Sequence, residues 1–156
     1  VSSIQTWLLG SLVNVTWNDF KILALYTIVG IALCLLVIKS CDLMGLGDKT
    51  AQSLGLNVNR VRVMITFVAV FLTSISTGVG GVISFVGLVI PHICRFLIGS
   101  SHKFLIPFSY FMGGFLLLVA DTVSRNIFRP YEIPVGLTMC LVGGPFFIYI
   151  LRRSKR

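Results

Sequence analysis

The chain has 156 residues, of which 56% are hydrophobic and 12% are charged, and its mean hydropathy is +0.96. This balance excludes an ordinary soluble domain and indicates an integral membrane protein. The formal net charge of +8 would suit nucleic acid, but the basic residues lie in short clusters between apolar segments. We interpret them as topology signals, and no nucleic-acid partner is expected.

The N-terminal part of the chain contains the first candidate membrane span. The sequence starts at Val1 without the basic leader and small-residue cleavage site of a signal peptide, so we expect a fragment or an internal piece of a longer protein. Residues 22–38 form an uncharged apolar segment bounded by Lys21 and Lys39. It is long enough to cross a bilayer.

The most polar interior region is residues 40–62, which we predict to be a loop outside the membrane. Asp48 is expected to cap a short helix that Gly55 ends, and a second turn or short helix is expected from Asn57. The short helix would present one apolar face, too small to insert into a membrane and too apolar for a simple linker. We interpret this face, formed by Ala51, Leu54 and Leu56, as a docking surface.

A glycine-rich stretch follows, and residues 63–94 contain no Asp, Glu, Lys or Arg. One helix of that length would reach roughly 48 Å, whereas a bilayer core is about 30 Å thick. The chain is therefore predicted to turn back at residues 77–81, and Pro91 is predicted to break the returning helix. Non-helical backbone at that depth needs protein or a water-filled cavity beside it. The stretch is thus a candidate wall of a translocation pathway, with Gly78, Gly80, Gly81, Gly87 and Pro91 as its candidate residues.

The remaining sequence contains two further spans. The first carries the small pair Gly113–Gly114 at its middle, which would let another helix approach closely, and it ends at Asp121. In all we predict an all-α, multi-pass helical bundle with one short and broken pass. Its five spans are residues 22–38, 63–76, 85–98, 104–120 and 133–151.

The distribution of the basic residues predicts the orientation of these spans. With five alternating passes, ten of the 13 Lys and Arg residues fall on or near the side of the C-terminus, and only Lys21, Arg125 and Arg129 fall on the other. The positive-inside rule therefore predicts a cytoplasmic 40–62 loop and an external 121–133 loop.

Residues that could carry chemistry are few. The four cysteines have no C-x-x-C spacing, so we expect neither a disulfide nor a metal site. For His92 a packed or backbone-bonded role is preferred to a proton relay. Asp121 and Arg125 stand four residues apart, which predicts a helix-end ion pair, with an outside partner for Arg125 as the alternative. No carboxylate pair, nucleophile–base pair or phosphate loop occurs, so no catalytic residue is predicted and the chain would not hydrolyse ATP.

Several segments together resemble a known family. They are GVISFVGLVIPHICR from Gly81 to Arg95, LIPFSYFMGG, LLLVADTVSR and YEIPVGLTMCLVGGPFFIYILRR, in this order. They are similar to the C-terminal half of the FecCD family of permeases, the membrane subunits of bacterial ABC importers for iron–siderophores, haem and cobalamin. The resemblance implies the C-terminal half of a ten-helix permease with an inverted repeat, located in the bacterial cytoplasmic membrane.

The resemblance also implies partners. A dimer of ATPase subunits on the cytoplasmic side would use ATP and Mg, while this chain would bind no cofactor and no metal. The loop from about Gly45 to Arg60 would fit a cleft in the ATPase, and its candidate coupling residues are Asp48, Ala51, Leu54, Gly55, Leu56 and Arg60. A second copy or a homologous permease would complete the pathway. An extracytoplasmic substrate-binding protein would dock near Arg125 and Arg129.

The alternatives to an importer are half of a secondary transporter and a purely structural membrane anchor. Half of a secondary transporter with inverted-repeat architecture would also contain glycine-broken helices. Such carriers normally place Asp or Glu inside their spans, whereas here only Asp121 comes near, at an edge. A purely structural membrane anchor would leave the broken helix and the apolar-faced loop unexplained.

Overall fold

The computed structural model of the protein describes residues 2–127 and 133–154, and the regular elements in them are α-helices. The helices are α1 (Ser2–Leu9), α2 (Trp17–Met44), α3 (Asp48–Ser53), α4 (Val58–Gly80), α5 (Val86–Ile98), α6 (His102–Ile127) and α7 (Val135–Ser154). Four of them, α2, α4, α6 and α7, are long and apolar enough to cross a membrane. The shorter α5 has 13 residues, or about 20 Å. The predicted all-α, multi-pass membrane bundle is confirmed.

Helix α2 begins earlier than its apolar segment because a capping box starts it. The Asp19 carboxylate accepts the Thr16 backbone N–H at 2.9 Å, and the Thr16 hydroxyl oxygen accepts the Asp19 N–H at 3.4 Å. These bonds satisfy donors that a helix start leaves unpaired. Farther along, Gly30 lies so close to the Leu72 side chain of α4 that a Cβ would overlap it. The two long helices are therefore in close contact.

The start of α3 and α4 differs from the sequence prediction at two residues. Asp48 does not cap α3: the cap position is Gly47, and the Asp48 carboxylate instead accepts a 2.8 Å hydrogen bond from the Arg62 guanidinium. Asn57 does not start a separate turn either. Its side chain accepts the Arg60 N–H and caps α4, which then continues without a break to Gly80.

The reversal of the glycine-rich stretch lies farther along than predicted. Helix α4 continues through Gly78, and the non-helical segment is residues 81–85 instead of 77–81. Pro91 lies inside the continuous helix α5, so the prediction that it breaks the returning helix is wrong. Pro91 lacks only the N–H that would bond to the Gly87 carbonyl, and helices in membranes tolerate such a loss.

Helix α6 is the element on which α5 and α7 pack. One buried cluster joins α5 to α6 and consists of Ile90, Cys94 and Leu105. A second joins α6 to α7 and consists of Ala120, Val135 and Met139. Val86 and Leu116 contact both clusters. Helix α6 also continues past Asp121 to Ile127, and its buried Ser124 hydroxyl donates to the Ile133 carbonyl at 2.5 Å.

The hydrogen bonds between helix ends show that the bundle has two distinct faces. We call the face that carries the end of α2, helix α3 and the start of α6 the loop face, because Asp42 and His102 are bonded there. The opposite face carries the end of α4 and the start of α7. Backbone bonds join residues 7–11 to residues 80–82 and to Gly136 on that face.

Candidate functional site

Three backbone segments meet where the glycine-rich stretch leaves α4. The Val82 N–H donates to the Trp7 carbonyl at 3.2 Å, and the Ser11 N–H donates to the Gly80 carbonyl at 3.1 Å. The Gly136 N–H, at the start of α7, donates to the Gly10 carbonyl at 3.2 Å. We call residues 7–11, 80–82 and 136 the glycine junction. Its bonds satisfy backbone groups of a non-helical segment that lipid would leave unpaired.

Glycine is required at two positions of the junction for different reasons. Gly81 has a φ of +72°, a conformation that L-residues with a side chain adopt rarely. A Cβ at Gly81 would also overlap the Trp7 carbonyl oxygen. At Gly136 the requirement for glycine is steric alone, because a Cβ there would overlap the Leu9 carbonyl oxygen. The junction therefore depends on direct contact between backbones.

Phe85 fixes the start of α5 against α7. Its φ of +68° lies in the left-handed region, and among the described residues it is the non-glycine residue with a positive φ. Its ring lies beside Gly143, where a Cβ would overlap the Phe85 side chain. A left-handed residue of this kind costs on the order of 1 kcal/mol and persists when its surroundings hold it in place. The packing against Gly143 provides that constraint.

The structure separates the residues that were predicted to line a pathway. Gly80 and Gly81 are buried in the junction. Gly78 and Gly87 are exposed with open space around them, and Pro91 is half-buried in α5. Of the five residues predicted to line the pathway, only Gly80 and Gly81 therefore lie together. The role of all five in a pathway stays a prediction.

A groove of about 510 Å³ runs between α5 and α7 on the side of the loop face. It is lined by His92, Ile93, Phe96, Leu97, Phe146, Tyr149 and Ile150. His92 is exposed along this groove within the described residues, so the preference for a packed or backbone-bonded histidine over a proton relay stays a prediction. The sequence shows the apolar pattern of both helices, but nothing in either pattern indicates that their aromatic residues face each other across a groove.

The predicted docking surface on the 40–62 loop is smaller than its sequence pattern suggests. Ala51 is completely buried within the chain, and Leu56 is half-buried with its N–H bonded to the Ala51 carbonyl at 3.0 Å. Leu54, in contrast, is 60% exposed. Ala51 thus attaches α3 to the bundle, while Leu54 protrudes from it. Gly55, with a φ of +86°, turns the chain directly after Leu54.

Three charged residues of this loop, Asp48, Arg60 and Arg62, are accessible. Arg60 is exposed in the first turn of α4. The ion pair between Asp48 and Arg62 is about half exposed on both sides and holds α3 against α4. A shallow cleft of about 400 Å³ follows α3 and is lined by residues 52 and 55–59. Leu54 and this cleft are adjacent features of one surface.

The ion pair predicted at the end of α6 is confirmed. The Arg125 Nε donates to the Asp121 carboxylate at 2.8 Å. The Arg125 side chain is nevertheless 46% exposed, compared with 25% for Asp121. Arg125 is therefore available to a partner as well as to Asp121. Arg129, the other predicted docking residue, lies outside the described residues.

Residues that could bind a metal ion do not cluster in the part of the chain that the structure describes. Within residues 2–127 and 133–154, no group of three or more His, Cys, Asp or Glu side chains is placed to hold a metal ion. The four cysteines, Cys34, Cys41, Cys94 and Cys140, are free thiols.

The helix arrangement and the glycine junction define a multi-pass helical membrane protein with a hydrogen-bonded, non-helical reversal. The family model described as the FecCD transport family matches residues 1–153. The chain belongs to this family.

Curated relatives agree with the family match. The chain is 41% identical to the Fe(3+)-citrate import system permease protein YfmE of Bacillus subtilis (strain 168), covering 100% of this chain and 47% of that protein. It is 37% identical to the iron(3+)-hydroxamate import system permease protein FhuB of the same strain, covering 98% of this chain and 40% of that protein. The chain therefore spans about half the length of the curated relatives that it matches.

A solved structure has the same fold. It is described as an inward-facing conformation of a "metal-chelate type ABC transporter", and it matches with a TM-score of 0.89 at 28% identity. The match covers 97% of this chain and 49% of that one. The arrangement of helices described above is thus the arrangement of about half of such a transporter chain.

The glycine junction leads to a first prediction. Gly81→Ala should destabilise the protein by about 2 kcal/mol or more, because the new methyl group meets the Trp7 carbonyl and the left-handed backbone is strained. Thermal unfolding of the purified chain in detergent micelles measures this effect.

The matched control for that prediction is Gly78→Ala. Gly78 lies in α4 with no atom within 4 Å of its added Cβ, so the change should be neutral or stabilise the helix by about 0.5–1 kcal/mol. Equal unfolding temperatures for Gly81→Ala and Gly78→Ala would contradict the close backbone contact at Gly81.

Proposed function

We propose that this chain is half of the membrane-spanning permease of an ATP-driven importer that carries an iron(III) chelate across the bacterial cytoplasmic membrane. The observation that carries the proposal is the FecCD match over residues 1–153, together with the fold shared with half of a metal-chelate type ABC transporter. Relatives named for Fe(3+)-citrate and iron(3+)-hydroxamate support an iron–siderophore type of cargo. Haem and cobalamin are the related alternatives.

The energy for transport comes, in this proposal, from a separate ATPase dimer that uses ATP and Mg. The chain itself contains no phosphate loop of the G-x-x-x-x-G-K-[ST] type. A transporter without its own energy source needs a partner whose binding differs between its conformations. The exposed Leu54 and the adjacent cleft offer that partner a contact surface.

The loop face is assigned to the cytoplasm. Lys39, Lys49, Arg60, Arg62 and Lys103 lie on or near this face and agree with the positive-inside rule. The opposite face, with Asp121 and Arg125, then meets the extracytoplasmic binding protein. The chelate would cross between this permease and a second copy or a homologous permease, by alternating access.

The glycine junction is the proposed fixed part of the pathway wall. Helix α5 covers only about 20 Å of a core that is about 30 Å thick, so residues 81–85 reach into the membrane as non-helical backbone. Such backbone is tolerated where it is buried in protein or lines a cavity. Gly80 and Gly81 hold this segment, while Gly78 and Gly87 have open space beside them and Pro91 is half-buried in α5.

The alternative of a secondary transporter receives no support from the comparisons, because the solved structure with the shared fold is an ABC transporter. The carboxylates in the described spanning helices also lie near helix ends, at Asp19, Asp42 and Asp121. A coupling ion would need them deeper in the membrane.

Uptake of radiolabelled chelates tests the proposed function. Cells that express the complete subunit with its ATPase and binding protein should accumulate an iron(III) chelate, and an inactive ATPase should abolish that accumulation. Parallel assays with iron–citrate, an iron–hydroxamate and haem assign the cargo. Accumulation that persists with the inactive ATPase would overturn the proposal in favour of a secondary transporter.

The Leu54 surface leads to a prediction about assembly. Leu54→Asp should weaken association with the ATPase roughly tenfold or more, because an interface would bury an unpaired carboxylate. The helices should stay folded, since Leu54 is 60% exposed in this chain. Co-purification of the ATPase with the tagged permease measures the association.

A conservative variant controls for the change of shape at Leu54. Leu54→Met keeps an apolar side chain of similar volume and should retain the ATPase. Undiminished co-purification with Leu54→Asp would remove Leu54 from the interface.

Arg125 leads to a prediction about the opposite face. Arg125→Glu should lower the affinity for the binding protein several-fold and make docking less sensitive to salt, because an attraction to an acidic group becomes a repulsion. An Asp or Glu to Lys change at the contact on the binding protein should partly restore the affinity. Docking to the transporter in nanodiscs at two salt concentrations measures both effects.

The variant Asp121→Asn distinguishes a docking role of Arg125 from a role in protein stability. It removes the ionic partner of Arg125 but leaves the guanidinium in place, so docking should persist while the protein loses the energy of a partly exposed pair, about 1 kcal/mol or less. If Arg125→Glu and Asp121→Asn both lower thermal stability and neither changes docking, Arg125 is only the structural partner of Asp121.

A further inference from the structure

Asp42 joins the end of α2 to the start of α6 through two contacts. Its Oδ1 accepts the backbone N–H of His102 at 2.8 Å and lies 2.7 Å from the ring Nδ1 of the same residue. Asp42 lies in the last turn of α2, and His102 is the first residue of α6, 60 positions away in sequence. One carboxylate therefore connects two membrane-spanning helices.

The two contacts of Asp42 fix the orientation of its carboxylate relative to the start of α6, as well as the distance between them. The first N–H groups of a helix have no partner within that helix, and the helix dipole favours a negative charge beside them. The bond to the His102 N–H uses both effects, and the second contact, to the imidazole ring, fixes the direction from which the carboxylate approaches. A rigid displacement of the end of α2 would therefore carry the start of α6 with it.

The position of Asp42 relates this contact to the coupling loop. Helix α3 starts only six residues after Asp42. Its first residue, Asp48, is bonded to Arg62 of α4 at 2.8 Å, and its Ala51 is completely buried within the chain. Helix α3 is thus bonded to α4 directly. It is connected to the Asp42 contact, and so to α6, along the chain through the end of α2 and residues 45–47.

Helix α6 extends from this contact to the opposite face. It has 26 residues, or about 39 Å of length, and its last turns carry the Asp121–Arg125 pair. Along its length α5 and α7 pack on it through the two buried clusters. A continuous helix with packed neighbours is the kind of element through which displacement at one site reaches another.

We propose that Asp42 is a positioning residue that links α3 to α6, so that displacement of α3 by the ATPase moves α6 and the Arg125 surface at its other end. This inference rests on the proposed importer function. The competing explanation is that Asp42 only caps α6. A cap would contribute to stability and would leave communication between the two faces unchanged.

The test measures communication directly in the complete transporter, reconstituted in nanodiscs with its ATPase and its chelate-loaded binding protein. The readout is the ratio of ATP hydrolysis rates with and without the loaded binding protein. Asp42→Ala should lower this ratio about fivefold or more, the usual lower range of coupling between two sites, while the basal rate and ATPase co-purification stay at wild-type levels.

Two further variants resolve the two contacts. His102→Ala removes the ring but keeps the backbone N–H, so the ratio should fall less than in Asp42→Ala. Asp42→Asn keeps a neutral acceptor oxygen and should give an intermediate ratio. If Asp42→Ala fails to assemble, these two variants decide the outcome, and wild-type ratios in both would overturn the proposal.

The matched control is Asp19→Asn. Asp19 lies on the same helix as Asp42, but within residues 2–127 and 133–154 its side chain bonds only to Thr16, at the opposite end of the helix. The ratio should therefore remain at the wild-type value. A wild-type ratio in an assembled Asp42→Ala transporter would identify Asp42 as a cap only. If the loaded binding protein fails to stimulate even the wild-type transporter, the proposed importer function fails, which is a distinguishable result.

Discussion

Hydrogen bonding of the backbone within a lipid environment is the constraint on which the rest of this structure depends. Residues 81–85 leave the helical conformation between α4 and α5, and lipid offers no donor or acceptor to replace helical bonds. The Trp7 carbonyl, in α1, accepts the N–H of Val82 in this stretch. The segment that follows α1 is bonded to the end of α4 through Ser11 and Gly80, and to the start of α7 through Gly10 and Gly136. At Gly81 and Gly136 the segments approach so closely that a Cβ would overlap a backbone carbonyl oxygen, of Trp7 and Leu9 respectively, so glycine is found at these two contacts. The short helix α5 and its packing on α7 follow from that arrangement.

Helix α6 provides the second level of organisation, because it connects features that the sequence separates widely. At its start His102 is held by Asp42 of α2, and at its end Ser124 is bonded to the carbonyl that precedes α7. Between these bonds it carries the two buried clusters that fix α5 and α7. In the proposed importer, the coupling loop and the binding-protein surface lie at opposite ends of this one helix. Its length and its attachments are suited to carrying a displacement between them.

The sequence predicts the membrane class, the all-α fold and the i, i+4 pair of Asp121 and Arg125, because each depends on local composition or spacing. It misplaces the reversal by a few residues, since Gly78 and Gly80 are compatible with helix and only the contact of Gly81 with Trp7 decides between the alternatives. The local sequence predicts Asp48 to be a helix cap, because its actual partner, Arg62, lies 14 positions away. The Asp42–His102 contact spans 60 positions and has no local pattern at all. Local periodicity thus predicts helices, whereas contacts between distant segments require the folded chain.

The glycines of the spanning helices show which parts of the helix surfaces are already packed and which remain open. In each candidate membrane span, only 11–28% of the most apolar window is buried inside the described structure. The space beside Gly30, Gly136 and Gly143, where a Cβ would lie, is already filled by atoms of Leu72, Leu9 and Phe85. At Gly113 and Gly114, in the middle of α6, no atom lies within 4 Å of an added Cβ. An open small-residue pair inside a membrane permits another helix to approach closely. The chain spans about half the length of its curated relatives. The filled glycines fix contacts within the described helices, whereas the open pair leaves the middle of α6 accessible to another helix.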